Sequence, residues 1–183
     1  MPGALVVALV GFLTIGCGAS PSPHLPTAAP VQQPIQAEAA DGEFRLILKA
    51  DGARQPVGAP IALVTELHYI GPLPQVQLAG SGSGLVIVSM SQLDGPLEIG
   101  GAATADCQRY VIAPGLPMVR PYVKAGGWDE DGPNAAFYRA FFADPLLRLP
   151  RGTWRVIATT EFFVGDCPGP SHKLDAILEL VVE

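Results

Sequence analysis

The sequence predicts an all-β fold, a single antiparallel β-sandwich formed by residues 41–183. Glycine and proline are abundant, with 21 and 19 of the 183 residues, and they indicate frequent turns and few helices. From residue 41 onward, apolar residues fall in short runs with a period of two, and Gly or Pro separates the runs. Short alternating runs at this spacing are typical of a sandwich.

Eight segments have the alternation, or the β-branched and aromatic content, of strands. They are 44–49, 61–70, 75–78, 84–91, 108–113, 118–124, 153–163 and 174–182. In the second segment the odd-numbered residues from Ile61 to Tyr69 share one face, and we expect that face to be buried.

One stretch, residues 133–142, fits two conformations. Pro133 suits the first position of a helix, and Phe137 and Phe141 are spaced to contact each other on one. The same residues could form a strand. We favour a strand or a short helical turn.

Residues 147–154 read LRLPRGTW. This segment resembles the turn before a late strand in many immunoglobulin-like bacterial modules, and the resemblance implies an immunoglobulin-like sandwich. Pro150 presets the bend and Gly152 tolerates a positive φ. We expect Leu147, Leu149 and Trp154 to point into the core.

The first residues, 1–16, are predicted to be a signal peptide. Residues 4–16 form an apolar run of thirteen residues without a charge. As a helix this run would be about 20 Å long, shorter than the roughly 30 Å hydrocarbon core of a bilayer. It therefore fits an export signal better than a permanent membrane span.

Residues 13–17, LTIGC, resemble the lipobox of bacterial lipoproteins, in which a Cys is acylated and the chain is cut in front of it. Cys17 matches the acylated position, and the small residue before it also fits. Thr14 departs from the pattern, which prefers Leu, Val or Ile, and the first three residues lack the usual Lys or Arg. The alternative is ordinary cleavage after Ala19, which would release a secreted protein.

Residues 17–40 are predicted to be the lipidated Cys followed by a disordered tether. The segment 18–40 contains five Pro, six Ala and a single charge, Glu38. Such a composition cannot bury enough apolar surface to fold, and its prolines keep the chain extended.

Three cysteines are present: Cys17, Cys107 and Cys167. With Cys17 acylated, two remain, and an even number in an exported protein predicts a Cys107–Cys167 disulfide.

Cys167 and His172 allow an alternative interpretation. A Cys and a His five residues apart, just before a final strand, are similar to the copper loop of cupredoxins, which implies a redox protein. That family needs a second His, for which His68 is the one available upstream in the domain, and Ala176 occupies the position at which the family usually has an axial Met. A disulfide at Cys167 would also remove the thiolate. We therefore predict no metal and no cofactor.

Charge and motifs exclude or disfavour several function classes. The net charge is −6 and the basic residues form no run, so a nucleic-acid partner is not expected. No nucleophile elbow, zinc-protease motif or phosphate loop is present, and no catalytic residue is predicted. A secreted hydrolase is kept only as a less favoured alternative.

The function expected from these features is that of a binding or structural module at the bacterial cell envelope. A lipid anchor would hold it outside the cytoplasm on the cell membrane, and an envelope protein or a glycan would be its partner. Trp128 and Tyr138 lie in the most aromatic part of the chain, beside an acidic turn, and we expect them to belong to the partner surface.

Overall fold

The computed structural model describes residues 33–183, which form thirteen strands and one helix. The elements are β1 (Ile35–Ala40), β2 (Phe44–Ala50), β3 (Arg54–Gln55), β4 (Leu63–Tyr69), β5 (Val76–Gly80), β6 (Val86–Gln92), β7 (Glu98–Ile99), β8 (Gln108–Ile112), β9 (Met118–Pro121), α1 (Ala135–Ala143), β10 (Gly152–Thr160), β11 (Phe162–Val164), β12 (Ser171–His172) and β13 (Asp175–Val182). The signal-peptide prediction and Cys17 lie outside the described residues.

The strands form three sheets. Sheet A has the order β1-β2-β4-β9, sheet B the order β3-β13-β10-β6-β7, and sheet C the order β12-β11-β5-β8. All pairs are antiparallel except that between β3 and β13. Strand β2 of sheet A contacts β10 and β13 of sheet B, so the core lies between these two sheets.

The strand order is that of an immunoglobulin-like sandwich. Strands β13, β10, β6 and β7 correspond to G, F, C and C′ of that fold, and β2, β4 and β9 correspond to A, B and E. Sheet C extends the sandwich through β11, which follows β10 after one residue. The predicted all-β, immunoglobulin-like sandwich is confirmed.

Strand β10 lies at the centre of the fold, paired with β13 on one side and β6 on the other. Its alternate side chains Trp154, Val156, Ala158 and Thr160 are all 0% exposed. The two polar groups in this row are satisfied, because Trp154 Nε1 donates to Pro150 O at 3.0 Å and Thr160 Oγ1 accepts from the Leu174 amide at 2.8 Å.

The turn before β10 has the structure that its sequence predicts. Leu147, Leu149 and Trp154 are buried, and Gly152 has a φ of 145°. A Cβ at Gly152 would also stand 2.6 Å from the Gln92 side chain, so both the backbone and the space favour glycine here.

All eight predicted strands have counterparts. The predicted buried face of β4 is confirmed, since the odd-numbered residues from Ile61 to Tyr69 are all buried. The segment predicted as one strand at 153–163 divides at Glu161 into β10 and β11, which join different sheets.

The predicted end of the tether at residue 40 is wrong. Residues Ile35–Ala40 form β1, which pairs with β2. Ile35 lies opposite Ala50 at one end of the pair, and Ala40 lies opposite Arg45 at the other. Ile35, Ala37 and Ala39 are half-buried against the core, so small side chains suffice at this sheet edge. The rest of the predicted tether, up to residue 32, lies outside the described residues.

The ambiguous aromatic stretch forms α1, a nine-residue helix, rather than the strand or short turn that we favoured. Phe141 is buried, and Phe137 contacts it with a ring-centroid distance of 5.7 Å. Lys124 Nζ donates to the carbonyls of Phe141 and Asp144 at the end of the helix, which attaches α1 to the chain that follows β9. Within residues 33–183, no helix has the length and apolarity needed to cross a bilayer.

The turn between β1 and β2 depends on the Asp41 carboxylate. It accepts hydrogen bonds from the amides of Glu43 and Phe44 at 2.8 and 2.7 Å, and it contacts His172 Nδ1 at 3.0 Å. Burial alone would raise the pKa of Asp41, but these hydrogen bonds outweigh it, so the pKa lies below its ordinary value of 3.8.

A lowered pKa predicts that Asp41 stabilises the fold above about pH 4 and that this contribution is lost as the pH falls below that value. We expect Asp41→Ala to lower the unfolding free energy by about 1 kcal/mol at pH 7, because two backbone donors lose their acceptor. The difference from the wild type should shrink towards pH 3. Urea titrations at both pH values measure it, with Asp131→Ala, on an exposed turn, as the control. A difference that is independent of pH would contradict this role.

Candidate functional site

The outer edge of β9 has no strand beside it within residues 33–183. In a constant-type immunoglobulin sandwich, strand D occupies this position next to strand E. Here the chain between β7 and β9 instead supplies β8, which pairs with β5 in sheet C. The sandwich is therefore open along one side, between β9 of sheet A and β6 of sheet B.

Strand β9 and the residue that follows it direct three side chains towards this opening. Met118 and Arg120 are the register partners of Leu67 and Thr65 on β4, and both of those partners face the core. Cross-strand partners share a face of an antiparallel sheet, so Met118 and Arg120 also face inward. Tyr122 continues the row, because its amide donates to the carbonyl of Leu63 at 2.9 Å.

The opening contains a cleft of about 300 Å³ between β9 and β6. This volume is at the lower end of the range found for small-molecule sites. The walls are mainly apolar and include Leu67, Leu85, Val86, Val88, Met118 and Tyr122.

Four polar side chains line the cleft: Thr65, Ser83, Arg120 and Tyr122. Thr65 Oγ1 donates to the Arg120 carbonyl at 3.4 Å, and Ser83 Oγ is hydrogen-bonded to Ser81 Oγ. The Arg120 guanidinium forms no ion pair with any residue of 33–183. Burial raises the pKa of Tyr122 to about 12, so its hydroxyl remains protonated at neutral pH.

One rim of the cleft is fixed by a small polar network. Ser81 Oγ lies 2.6 Å from Ser83 Oγ and 3.0 Å from Thr104 Oγ1, and Asp106 accepts from the Gly82 amide at 2.9 Å. Hydrogen bonds from the Thr104 hydroxyl and the Gly82 amide hold the pKa of Asp106 below its ordinary value. These contacts join the loop before β6 to the chain that leaves β7.

The predicted disulfide directly follows this network in the chain and is confirmed. The sulfur atoms of Cys107 and Cys167 are 2.06 Å apart, and the bond joins the start of β8 to the loop after β11. An ion pair between Arg109 and Asp166, at 2.8 Å, lies next to it. The rim is thereby attached to sheet C.

The copper interpretation loses its thiolate, because Cys167 is bonded to Cys107. His172 contacts Asp41 and stacks on Phe162, with the ring centroids 5.5 Å apart. His68 contacts Glu66 at 3.0 Å on another sheet. Among the described residues, no three Cys, His, Asp or Glu side chains form a group that could hold a metal ion.

Trp128 and Tyr138, predicted for the partner surface, are half-buried and do not line the cleft. Trp128 stacks on Phe142, with the ring centroids 5.2 Å apart. The Tyr138 hydroxyl donates to the Glu98 carbonyl at 2.8 Å and accepts from the Glu98 amide at 3.2 Å, so it covers the free edge of β7. The partner surface at these residues stays a prediction.

Sequence reasoning missed the cleft, although it predicted the strand that forms one wall. One signal was available in Pro121. Because the Tyr122 amide points to β4, the backbone groups of the preceding residue, Pro121, point away from β4. A residue without an N–H is tolerated on such a free edge. A proline inside a predicted strand therefore indicates an edge strand.

The comparisons with known proteins identify no family. No protein-family description matches the chain, and no curated protein matches it in sequence. The class established for this chain is that of an antiparallel, immunoglobulin-like β-sandwich with one internal disulfide.

The disulfide predicts that Cys107 and Cys167 resist alkylation. The denatured but unreduced protein should take up no label at either position, and both should be labelled after reduction. The double variant Cys107→Ser/Cys167→Ser should lose up to about 4 kcal/mol of unfolding free energy, because a loop of 60 residues is released. Labelling of both cysteines without a reductant would contradict the bond.

The contact between Tyr138 and Glu98 predicts a structural effect of a small substitution. Tyr138→Phe keeps the ring and removes the hydroxyl, so two backbone groups of the β7 edge lose their partner. We expect a loss of about 1 kcal/mol in urea unfolding. An unchanged unfolding free energy would show that water replaces the hydroxyl at no cost.

Proposed function

We propose that this protein is a lipid-anchored binding module, held outside the cytoplasm at the bacterial cell envelope. The observation that supports binding is the cleft beside β9, where mainly apolar walls adjoin the exposed Arg120, a cation without an ion-pair partner among residues 33–183. Concave apolar sites with a few polar groups are the usual form of ligand sites.

The polar side chains of the cleft support recognition better than catalysis. An arginine guanidinium stays protonated in proteins, so Arg120 can bind an anion but cannot act as a base. Tyr122 has a pKa of about 12 and serves as a neutral hydrogen-bonding group at physiological pH. Ser83 contacts Ser81 and Thr104, and neither of these is a general base.

Two features support the location. The LTIGC segment resembles a lipobox, and it follows an apolar run of signal-peptide length. The Cys107–Cys167 bond is of a kind that persists in oxidising compartments outside the cytoplasm. Both features fit export followed by attachment to the membrane.

The proposal predicts that the mature protein begins at an acylated Cys17. Mass spectrometry of the amino-terminal peptide should show the lipid, and the protein should fractionate with membranes. Cys17→Ala should abolish the lipid and should either release the protein to the medium or leave it uncleaved at the membrane. Ser20→Ala, three residues away, should change neither acylation nor fractionation. Thr14→Leu, which restores the preferred lipobox residue, should leave acylation equal or raise it.

An unmodified amino terminus at Ser20 would contradict the anchor and indicate a freely secreted protein. Unchanged cleavage together with unchanged fractionation of the Cys17→Ala variant would contradict it equally.

A further inference from the structure

We propose that the cleft beside β9 binds a medium-chain monocarboxylate, with its carboxylate on Arg120 and its hydrocarbon chain between β9 and β6. This inference rests on the proposed binding function and names the ligand class. It depends on the walls of the cleft, on the position of Arg120 and on the free edge of β9.

The walls favour a hydrocarbon chain over a sugar or another polar ligand. Of the four polar side chains in the cleft, Thr65 and Ser83 are already hydrogen-bonded within the protein. A sugar ring would bring several hydroxyls into the cleft, and those that lie against Leu67, Val88 and the other apolar walls would lose water without gaining a partner. A methylene chain loses no hydrogen bonds on this surface, and the burial of each CH₂ favours binding.

The position of Arg120 favours one negative charge on the ligand. Its side chain lies on the face of sheet A that carries the buried Thr65, and it lines the cleft while remaining exposed, so the guanidinium is accessible to the head group of a ligand. A guanidinium binds a carboxylate through two parallel hydrogen bonds, and this geometry suits a planar head group. Tyr122, two residues along the same face, adds a protonated hydroxyl group to the residues that line the cleft.

The free edge of β9 is a poor template for an added peptide strand. The odd-numbered positions of β9 direct their backbone groups away from β4, and Pro121 at one of them has no N–H. An added strand would lose a ladder bond at the end of this short edge, where β9 finishes at Pro121. The site therefore suits a small amphiphile better than an extended peptide.

Binding is measured on the mature chain from residue 17 with Cys17→Ala, exported behind an ordinary cleavable signal peptide. The probe is decanoate, kept below its micelle-forming concentration. This chain retains two methionines, Met90 in the core and Met118 in the cleft. An NMR spectrum of the protein labelled with ¹³C-methyl methionine should show a saturable chemical-shift change for Met118 as decanoate is added, while the signal of Met90 does not shift.

Calorimetry on the same protein should give one-to-one binding, and Arg120→Gln should weaken decanoate binding by about tenfold or more. Arg155→Gln makes the same change on the outer face of β10, and it should leave the affinity unchanged. The neutral analogue 1-decanol should bind the wild type and Arg120→Gln equally. Ala102→Trp, at an exposed position on the cleft rim, should block both ligands without unfolding the protein.

Absence of saturable decanoate binding to the wild type would overturn the proposal. A decanoate affinity in Arg120→Gln equal to that of the wild type would show that Arg120 does not bind the carboxylate. A loss of 1-decanol affinity in this variant as large as its loss of decanoate affinity would show the same. Self-association of Arg120→Gln without any decanoate binding would assign the arginine to protection of a free sheet edge instead. Since the chain tested carries no lipid, these results are independent of the acylation of Cys17.

Discussion

The burial of every second side chain of β10 is the constraint on which the rest of the domain depends. Because β10 is paired on both sides, it fixes β13 and β6, and through Trp154 it also fixes the turn that leads into it. One wall of the cleft is thus part of the most firmly held sheet. The other wall is an edge strand, held by β4 alone. A rigid wall facing a less constrained one allows a site to adjust to its ligand without disturbing the core.

Local sequence patterns predicted the structural features that depend on residues close together in the chain. The period of two predicted the buried face of β4, and the LPRG sequence predicted the inward turn of Trp154, because both depend on residues adjacent in the chain. The alternation of apolar residues did not identify β1, because the burial of its alanines depends on the neighbouring strand β2 rather than on their own hydrophobicity. The aromatic stretch at α1 has no clear period, and its conformation is decided by tertiary contacts, including Lys124 at the helix end.

The cleft depends even less than β1 and α1 on the local sequence pattern. Its existence requires that the chain between β7 and β9 join sheet C and leave the position of strand D empty. Pro121 indicates an edge strand, but the sequence around Arg120 does not show which neighbouring strand is absent. Alternation alone therefore could not identify an arginine that lines a cleft. The Cys107–Cys167 bond fits this arrangement, because it attaches the diverted chain to sheet C. The same diversion therefore creates the opening and is locked by the disulfide.

The pairing of β1 has a mechanical consequence. Any tension that reaches the domain from its amino-terminal side enters at Ile35, where β1 begins, and passes into β2 through six residue pairs. Tension along the strand axis loads these pairs together in shear, whereas tension across the sheet opens them one at a time, beginning with Ile35 and Ala50. The open cleft is on the opposite edge of sheet A, beyond β2 and β4. A pull on the amino terminus is therefore carried first by the β1–β2 pairs, at the edge of sheet A that lies farthest from the cleft.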